Sequence, residues 1–364
     1  MISLRFPKLK CERIVILTGA DAVKISALSV VISFMLFGAF VAFEGTDPLV
    51  AYEHIFSFAF DPKLGLPITL HRGFFLVFNT LAFIIPMAAG IWNIGMEGQF
   101  YLGTIGAFAV AYSFPDLNQA ILIPLMLISG AIFGAAYGAL AGFLKGKMNV
   151  NEVVVTIMLN NIAFWLVYLL TVGGPWAGIA ESTSRPLPKN ACAPMVWNTP
   201  FTSIFVIVVA ILAYFFLKKT TIGYQIRTLG SNPIVAKHVG ISAPKISVIV
   251  MAIGGAIAGL SGYHMWAGDP AFLMIPRPEA YKAIGDLTYW GIILGLICLL
   301  NPLTSVPASI FIGSIIVGTT VLVRRLRMPF GLDVLFLGII SLVFAAFQFF
   351  HQYRIRRVKV VIGK

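Results

Sequence analysis

Charge is what this sequence has least of. Charged side chains make up 11% of its 364 residues, against roughly 25% in ordinary globular chains. Acidic residues are the scarcer sign, with 14 Asp and Glu facing 26 Lys and Arg. A chain so short of charge does not make an ordinary cytosolic enzyme or a disordered scaffold. Cysteine is nearly absent as well. Cys11, Cys192 and Cys298 are too few and too scattered for a disulfide framework or a metal site. A phosphate-binding G-x-x-x-x-G-K-[ST] loop is missing, because Ala141 stands where the first glycine is required and Met148 where the hydroxyl is. H-E-x-x-H and G-x-S-x-G do not occur, and His54, His71, His238, His264 and His351 are dispersed. The residues therefore point to no catalytic constellation, no metal and no cofactor.

Apolar residues are abundant instead, at 59% of the chain, with a mean hydropathy of +0.93. A bilayer core about 30 Å thick takes about 20 apolar residues per helix. Ten runs approach that length: 23–43, 73–92, 96–114, 119–144, 152–172, 201–217, 246–267, 281–300, 305–323 and 333–350. They predict an all-α integral membrane protein with about ten transmembrane helices. Run 96–114 opens on a carboxylate, and run 281–300 carries Lys282 and Asp286 in its first turns. The expected division is an N-terminal arm over 1–22, a transmembrane domain over 23–350 and a basic tail over 351–364.

Basic residues set the orientation. Arg5, Lys8, Lys10 and Arg13 precede a first apolar run longer than a usual signal-peptide core, so it is expected to be a retained helix. With the N-terminus inside, the cytoplasmic segments also hold Lys145, Lys147, Lys218, Lys219, Arg227, Lys237, Lys245 and the basic tail. Of the 26 basic residues the inside segments take most, and the one dissenting cluster is Arg324, Arg325 and Arg327, which falls outside. The expected topology is N-in and C-in. Membrane-facing basic loops account for the net charge of +12 without a nucleic-acid partner.

Several polar residues fall at membrane depth. Glu97 lies between Gly95 and Gly98, with Asn93 and Gln99 nearby. A carboxylate at the bilayer centre costs about 2.5–3.5 kcal/mol on insertion scales. Two readings fit: broken backbone at the edge of a cavity or pathway, or a solvated cytoplasmic turn. Glu152, Thr156 and Asn160 share one helix face, with Asn161 beside it. Such a stripe either joins helices by hydrogen bonds or lines a path. Gly130, Gly134, Gly138 and Gly142 form a ridge for close helix packing, repeated by Gly255 and Gly259. In segment 218–245, Asn232 and Pro233 start a short helix and Gly240 stops it, predicting Pro233–Val239. So short a helix needs a partner surface. Loop 173–200, with five prolines and with Trp176 and Trp197, is either a docking surface or an ordered spacer.

These stretches resemble the permease subunits of ATP-binding-cassette importers, in the family serving branched-chain amino acids, ribose and nucleosides. Asn93–Gln99 is similar to the N-I-G-x-E-G-Q motif of its nucleoside-type branch, and Asn151–Asn161 to E-V-I-x-T-I-M-x-N-Y. Arg227–Ile241 resembles the family's R-A-x-G-x-N-x-x-A-A-x-x-x-G-I cytoplasmic loop, and Gly254–Gly262 its G-A-x-A-G-L-A-G helix. The likeness runs from about residue 70 to 265. Beyond it, Thr288–Leu296 departs from the branch's G-F-D-G-I-A-V-A-L-L-G stretch.

The resemblance implies a ten-helix permease fold in the cell membrane and a role in transport rather than catalysis. It implies cytoplasmic ATPase subunits, a second and shorter permease subunit, and an extracellular solute-binding protein. Asn93, Glu97, Gln99, Thr156, Asn160 and Asn161 are the candidate pathway residues. Arg227, Gly230, Asn232, Pro233, Ala236 and Gly240 are the candidate coupling residues. The solute is expected to be a nucleoside, with a monosaccharide as the alternative. An ion-driven secondary transporter is the rival class, weakened by the lack of an evident partner for Glu97.

Overall fold

The computed structural model describes residues 9–13, 19–179, 182–269, 273–329 and 331–357. Residues 1–8, 14–18 and 358–364 of the basic arm and tail, expected to be cytoplasmic, lie outside the described residues. The helices are α1 (Gly19–Phe43), α2 (Pro48–Ala59), α3 (Gly65–Met87), α4 (Met96–Ser113), α5 (Gln119–Met148), α6 (Glu152–Thr171), α7 (Thr202–Lys219), α8 (Thr221–Ser231), α9 (Pro233–His238), α10 (Ala243–Trp266), α11 (Pro278–Asp286), α12 (Trp290–Ile297), α13 (Pro302–Arg325) and α14 (Leu332–Gln352). Strands are few. β1 (Leu9–Arg13) pairs antiparallel with β4 (Tyr353–Arg357), and β2 (Met195–Val196) with β3 (Thr199–Pro200).

The chain forms two compact units, Met1–His54 with Thr319–Lys364, and Ile55–Gly318. In the first, α1 packs on α14 through rings: Phe37 stacks on Phe336 at 4.2 Å between centroids, and Phe34 meets the same ring edge-on. The β1–β4 pairing joins arm to tail, which the sequence treated as separate segments.

Among the described residues, six helices (α3, α5, α6, α7, α10 and α13) are each long and apolar enough to cross a membrane. A seventh is added if the bent pair Ala27–Phe43 and Pro48–Ala59 is one span. The expected ten runs are thus not ten simple spans. Run 281–300 breaks into α11, a 3₁₀ turn at Leu287–Tyr289 and the eight-residue α12, too short to cross alone. The apolar part of α14, Leu332–Phe347, falls short of a full span as well. Hydropathy counts apolar residues without registering where the axis breaks.

In the second unit, α3 is the most enclosed span, and α5 lies along α10 on the expected glycine ridge. A Cβ on Gly134 would sit 2.2 Å from the Gly255 carbonyl oxygen, and one on Gly138 would sit 2.1 Å from that of Met251. Only bare backbone permits this approach. Thr220, Asn232 and Asn151 cap α8, α9 and α6 with their side chains.

Candidate functional site

The chain does not leave the bundle after α3. Residues 88–95 turn back along it, and the Asn93 side-chain amide donates to the Ala82 carbonyl at 3.1 Å. Ala82 is about 7 Å short of the α3 C-terminus at 1.5 Å per residue, so α4 begins inside the bundle. Phe100, in the second turn of α4, meets Phe75 edge-on at 5.3 Å. The returning backbone is satisfied by protein. Ile91 N–H donates to the Pro86 carbonyl, Gly95 N–H to Asn93 Oδ1, and Asn160 Nδ2 to the Ile94 carbonyl at 2.9 Å. Irregular backbone at membrane depth needs such partners. Asn93 and Gln99 also exchange two amide hydrogen bonds, each of 3.0 Å.

Glu97 sits in the first turn of α4, where the helix dipole favours an anion. It is 1% exposed, so the solvated-turn reading does not hold. Oε1 accepts from Lys282 Nζ at 2.5 Å and from the Tyr101 hydroxyl at 3.0 Å, while Oε2 accepts from the Tyr289 hydroxyl at 2.7 Å. Lys282 also reaches Asp286 at 3.1 Å. Asn160 joins the set from α6, donating to Tyr289 and accepting from Gly98 N–H. The expectation that Glu97 lacked a partner is corrected: its counter-ion is Lys282. Without that objection, the partnering of Glu97 no longer argues against an ion-driven carrier.

The cluster is closed on one side and open on the other. Glu97 and Tyr101 are buried, whereas the side chains of Lys282 and Asp286 are 44% and 55% exposed. Charged groups on a membrane protein do not face lipid tails at depth; they face water or a partner. The broken segment α11–α12 therefore brings an edge open to water or to a partner up to a buried carboxylate.

Not every candidate belongs to this cluster. Asn93, Glu97, Gln99 and Asn160 are brought together. Thr156 is buried beside Gly95, but its hydroxyl bonds back to the Glu152 and Val153 carbonyls. Asn161 is exposed on the far face of α6 and bonds only its own helix, at Ile157. The residues that sequence reasoning missed are Lys282, Asp286, Tyr101 and Tyr289. Two signals were present: Tyr101 follows Glu97 by one helical turn, and Lys282 and Asp286 stand at the same spacing inside an apolar run.

Segment 218–245 takes the expected shape, with α9 ending at His238 and Gly240 at φ +78°. Arg227 is half-buried at the rim of a groove. Gly230 lies against the turn after α3, where an added Cβ would meet the Ala88 carbonyl at 2.2 Å. The segment thus touches the backbone that returns to Asn93 and Glu97. Ala236, however, is fully buried, so it faces inward. Ile234, Val235 and Val239 are the exposed apolar residues there.

Loop 173–200 is ordered by hydrogen bonds over its described residues. Asn190 Nδ2 donates to the Pro115 and Leu117 carbonyls, Ser184 N–H to that of Ile275, and the Tyr112 hydroxyl to that of Arg185. Trp176 is packed edge-on against Tyr112, while Trp197, at the tip of the β2–β3 hairpin, is 94% exposed.

The chain is 31% identical to the nucleoside ABC transporter permease protein NupB of Lactococcus lactis over 253 residues, 66% of this chain and 69% of that protein. It is 25% identical to the glucose ABC transporter permease protein TsgB13 of Haloferax volcanii over 344 residues, 90% of this chain and 88% of that one. The guanosine ABC transporter permease protein NupP of Bacillus subtilis is 32% identical over 192 residues, 51% and 55% of the two chains. No solved structure matches. Residues 65–345 match the family described as branched-chain amino acid transport system / permease component. That match takes in the returning backbone, the Glu97 cluster and α8–α9, and the chain belongs to this family of multi-pass membrane permeases.

Proposed function

We infer that this chain is the translocating subunit of an ATP-driven importer for a nucleoside or a related small polar solute. The observation that carries the reading is the open edge of the Glu97 cluster: a buried carboxylate paired with a lysine whose side chain is 44% exposed. Such an edge suits a pathway for a neutral, hydrogen-bonding solute. Glu97 orients Tyr101, Tyr289 and Lys282, and the solute meets the exposed flank. The nucleoside and guanosine permeases among the relatives support this solute class. A monosaccharide is the second reading, favoured by the glucose permease relative that spans most of the chain.

ATP hydrolysis belongs to separate cytoplasmic subunits that dock on α9 through Ile234 and Val235. Their motion passes through Gly230 to the turn after α3 and so to Asn93 and Glu97. A second, shorter permease chain completes the pore. A solute-binding protein docks outside, with Trp197 as its contact.

ATP-driven uptake of labelled adenosine and of labelled glucose in reconstituted vesicles, each with unlabelled nucleoside and glucose as competitors, tests the reading. Uptake blocked by nucleosides and not by glucose supports the first solute class; the reverse supports the second, and uptake of neither overturns both. Ile234→Asp should uncouple ATP hydrolysis from uptake with the amount of folded protein unchanged. Equal uptake by that variant would remove α9 as the docking point.

A further inference from the structure

Two grooves in the Ile55–Gly318 unit lie end to end along α7. The first, about 200 Å³, is lined by Ile85 of α3, Val209, Leu212, Ala213 and Phe216 of α7, and Ile253 and Ile257 of α10. Every residue lining it is apolar. The second, about 570 Å³, begins at the next turn of α7. Lys218, Lys219 and Arg227 supply its cations, Thr221, Tyr224 and Gln225 add polar groups, and no carboxylate lines it.

A stripe on α7 leads from one to the other, Phe216 of the first groove lying within one helical turn of Lys218 and Lys219 of the second. Val209, Ala213 and Phe216 recur at steps of three and four residues, as do Leu212, Phe216 and Lys219, so they share one helix face. From Val209 to Lys219 the helix rises about 15 Å. That is the span of an acyl chain running from within one leaflet to its headgroup level. Lys218 and Lys219 close an apolar, membrane-length helix, which sets them at the headgroup layer.

We propose that this double groove is a binding site for an anionic phospholipid. Its phosphate is held by Lys218, Lys219 and Arg227, and one acyl chain lies between α3, α7 and α10. A basic pocket beside a membrane helix recognises anionic headgroups. A free phosphate would use the cations but leave the apolar groove without purpose. A docked ATPase subunit would not reach between the spans. The bound lipid would join α7 to the chain after α9, because Val239 and Ile241 also line the basic groove.

The purified full chain, delipidated in detergent and offered equal phosphatidylglycerol and phosphatidylcholine, tests this by native mass spectrometry. The expected result is preferential retention of phosphatidylglycerol. Lys218→Gln and Lys219→Gln should each reduce that retention about fivefold, the Boltzmann factor for one cation at an anionic surface. Lys237→Gln, on the same loop but outside the groove, should leave it unchanged. Leu212→Gln should weaken retention of long-chain phosphatidylglycerol and spare a six-carbon-chain analogue. Equal retention of the two lipids overturns the proposal, as does indifference to both lysine variants. Displacement of the lipid by millimolar inorganic phosphate would reassign the cations to a soluble anion and overturn it too.

Discussion

The α5–α10 seam and the Glu97 cluster join helices in the same unit by opposite means. In lipid, helices gain little from hydrophobic burial against one another, so close packing and hydrogen bonds must do the joining. The seam uses packing alone: Gly134, Gly138, Gly255 and Gly259 bring backbones into direct contact, and nothing charged takes part. The cluster uses hydrogen bonds and an ion pair, and it leaves Lys282 and Asp286 half outside. A seam of that kind has no second arrangement, because each glycine is already at its limit of approach. A cluster held by Lys282 has one ready to hand, since Lys282 already touches Asp286 as well as Glu97. The difference separates a fixed frame from the part able to rearrange.

Breaking the frame should have the largest effect. Gly134→Leu puts a branched side chain where even a Cβ would lie 2.2 Å from the Gly255 carbonyl oxygen. Overpacking of far gentler kinds costs about 1–3 kcal/mol, so folded protein should be lost almost entirely. Size-exclusion chromatography in detergent reads this directly, and a normal yield of monodisperse protein would show that the seam opens freely.

Next in size is Glu97→Leu. Lys282 can turn to Asp286, but the Tyr101 hydroxyl keeps only its 3.4 Å bond to the Tyr281 carbonyl. The Tyr289 hydroxyl loses its acceptor, at about 1–3 kcal/mol for a buried donor left unpaired. Uptake should fall at least about tenfold and the thermal midpoint should drop. Glu97→Gln retains an acceptor and should lose only part of the activity. If Leu and Gln variants transport equally, the carboxylate is not organising the cluster. Lys282→Gln should resemble Glu97→Gln, and the double variant should cost less than the two singles combined, as expected for groups in contact. Strict additivity in the uptake assay would break the pairing.

The smallest effect is expected from Asn161→Leu. Its side chain bonds only its own helix on an exposed face, so uptake should stay within about twofold of wild type, since surface changes are usually within about 0.5 kcal/mol. A large loss would place a partner on that face of α6 and sharpen the contrast from the other side.

Much of this was legible in the sequence through local rules. The α9 cap and stop, the glycine ridge, and the closeness of Asn93, Glu97 and Gln99 follow from spacing along the chain, whereas Asn160 meets Gly98 from 62 positions away. The break at Leu287–Tyr289 was not legible, because the wholly apolar stretch after it, from Trp290 on, carries the hydropathy of the run. Lys282 looked like a flaw in a span for the same reason. Ala236 looked like a docking residue because spacing places a residue on a helix without saying which face turns inward.

Membrane residence, the scarcity of charge and the absence of a phosphate loop are properties of composition, which the sequence determines alone. Helix ends are nearly so, because caps and stops act within a few residues. Partnership across the bundle is different. Glu97 and Lys282 are separated by 185 positions, and His71 and His264 by 193, yet each ring of that second pair bonds the other's carbonyl at 2.9 Å. Contacts at such separations depend on how whole helices pack and where one of them breaks, and only the tertiary structure decided which polar group found which partner.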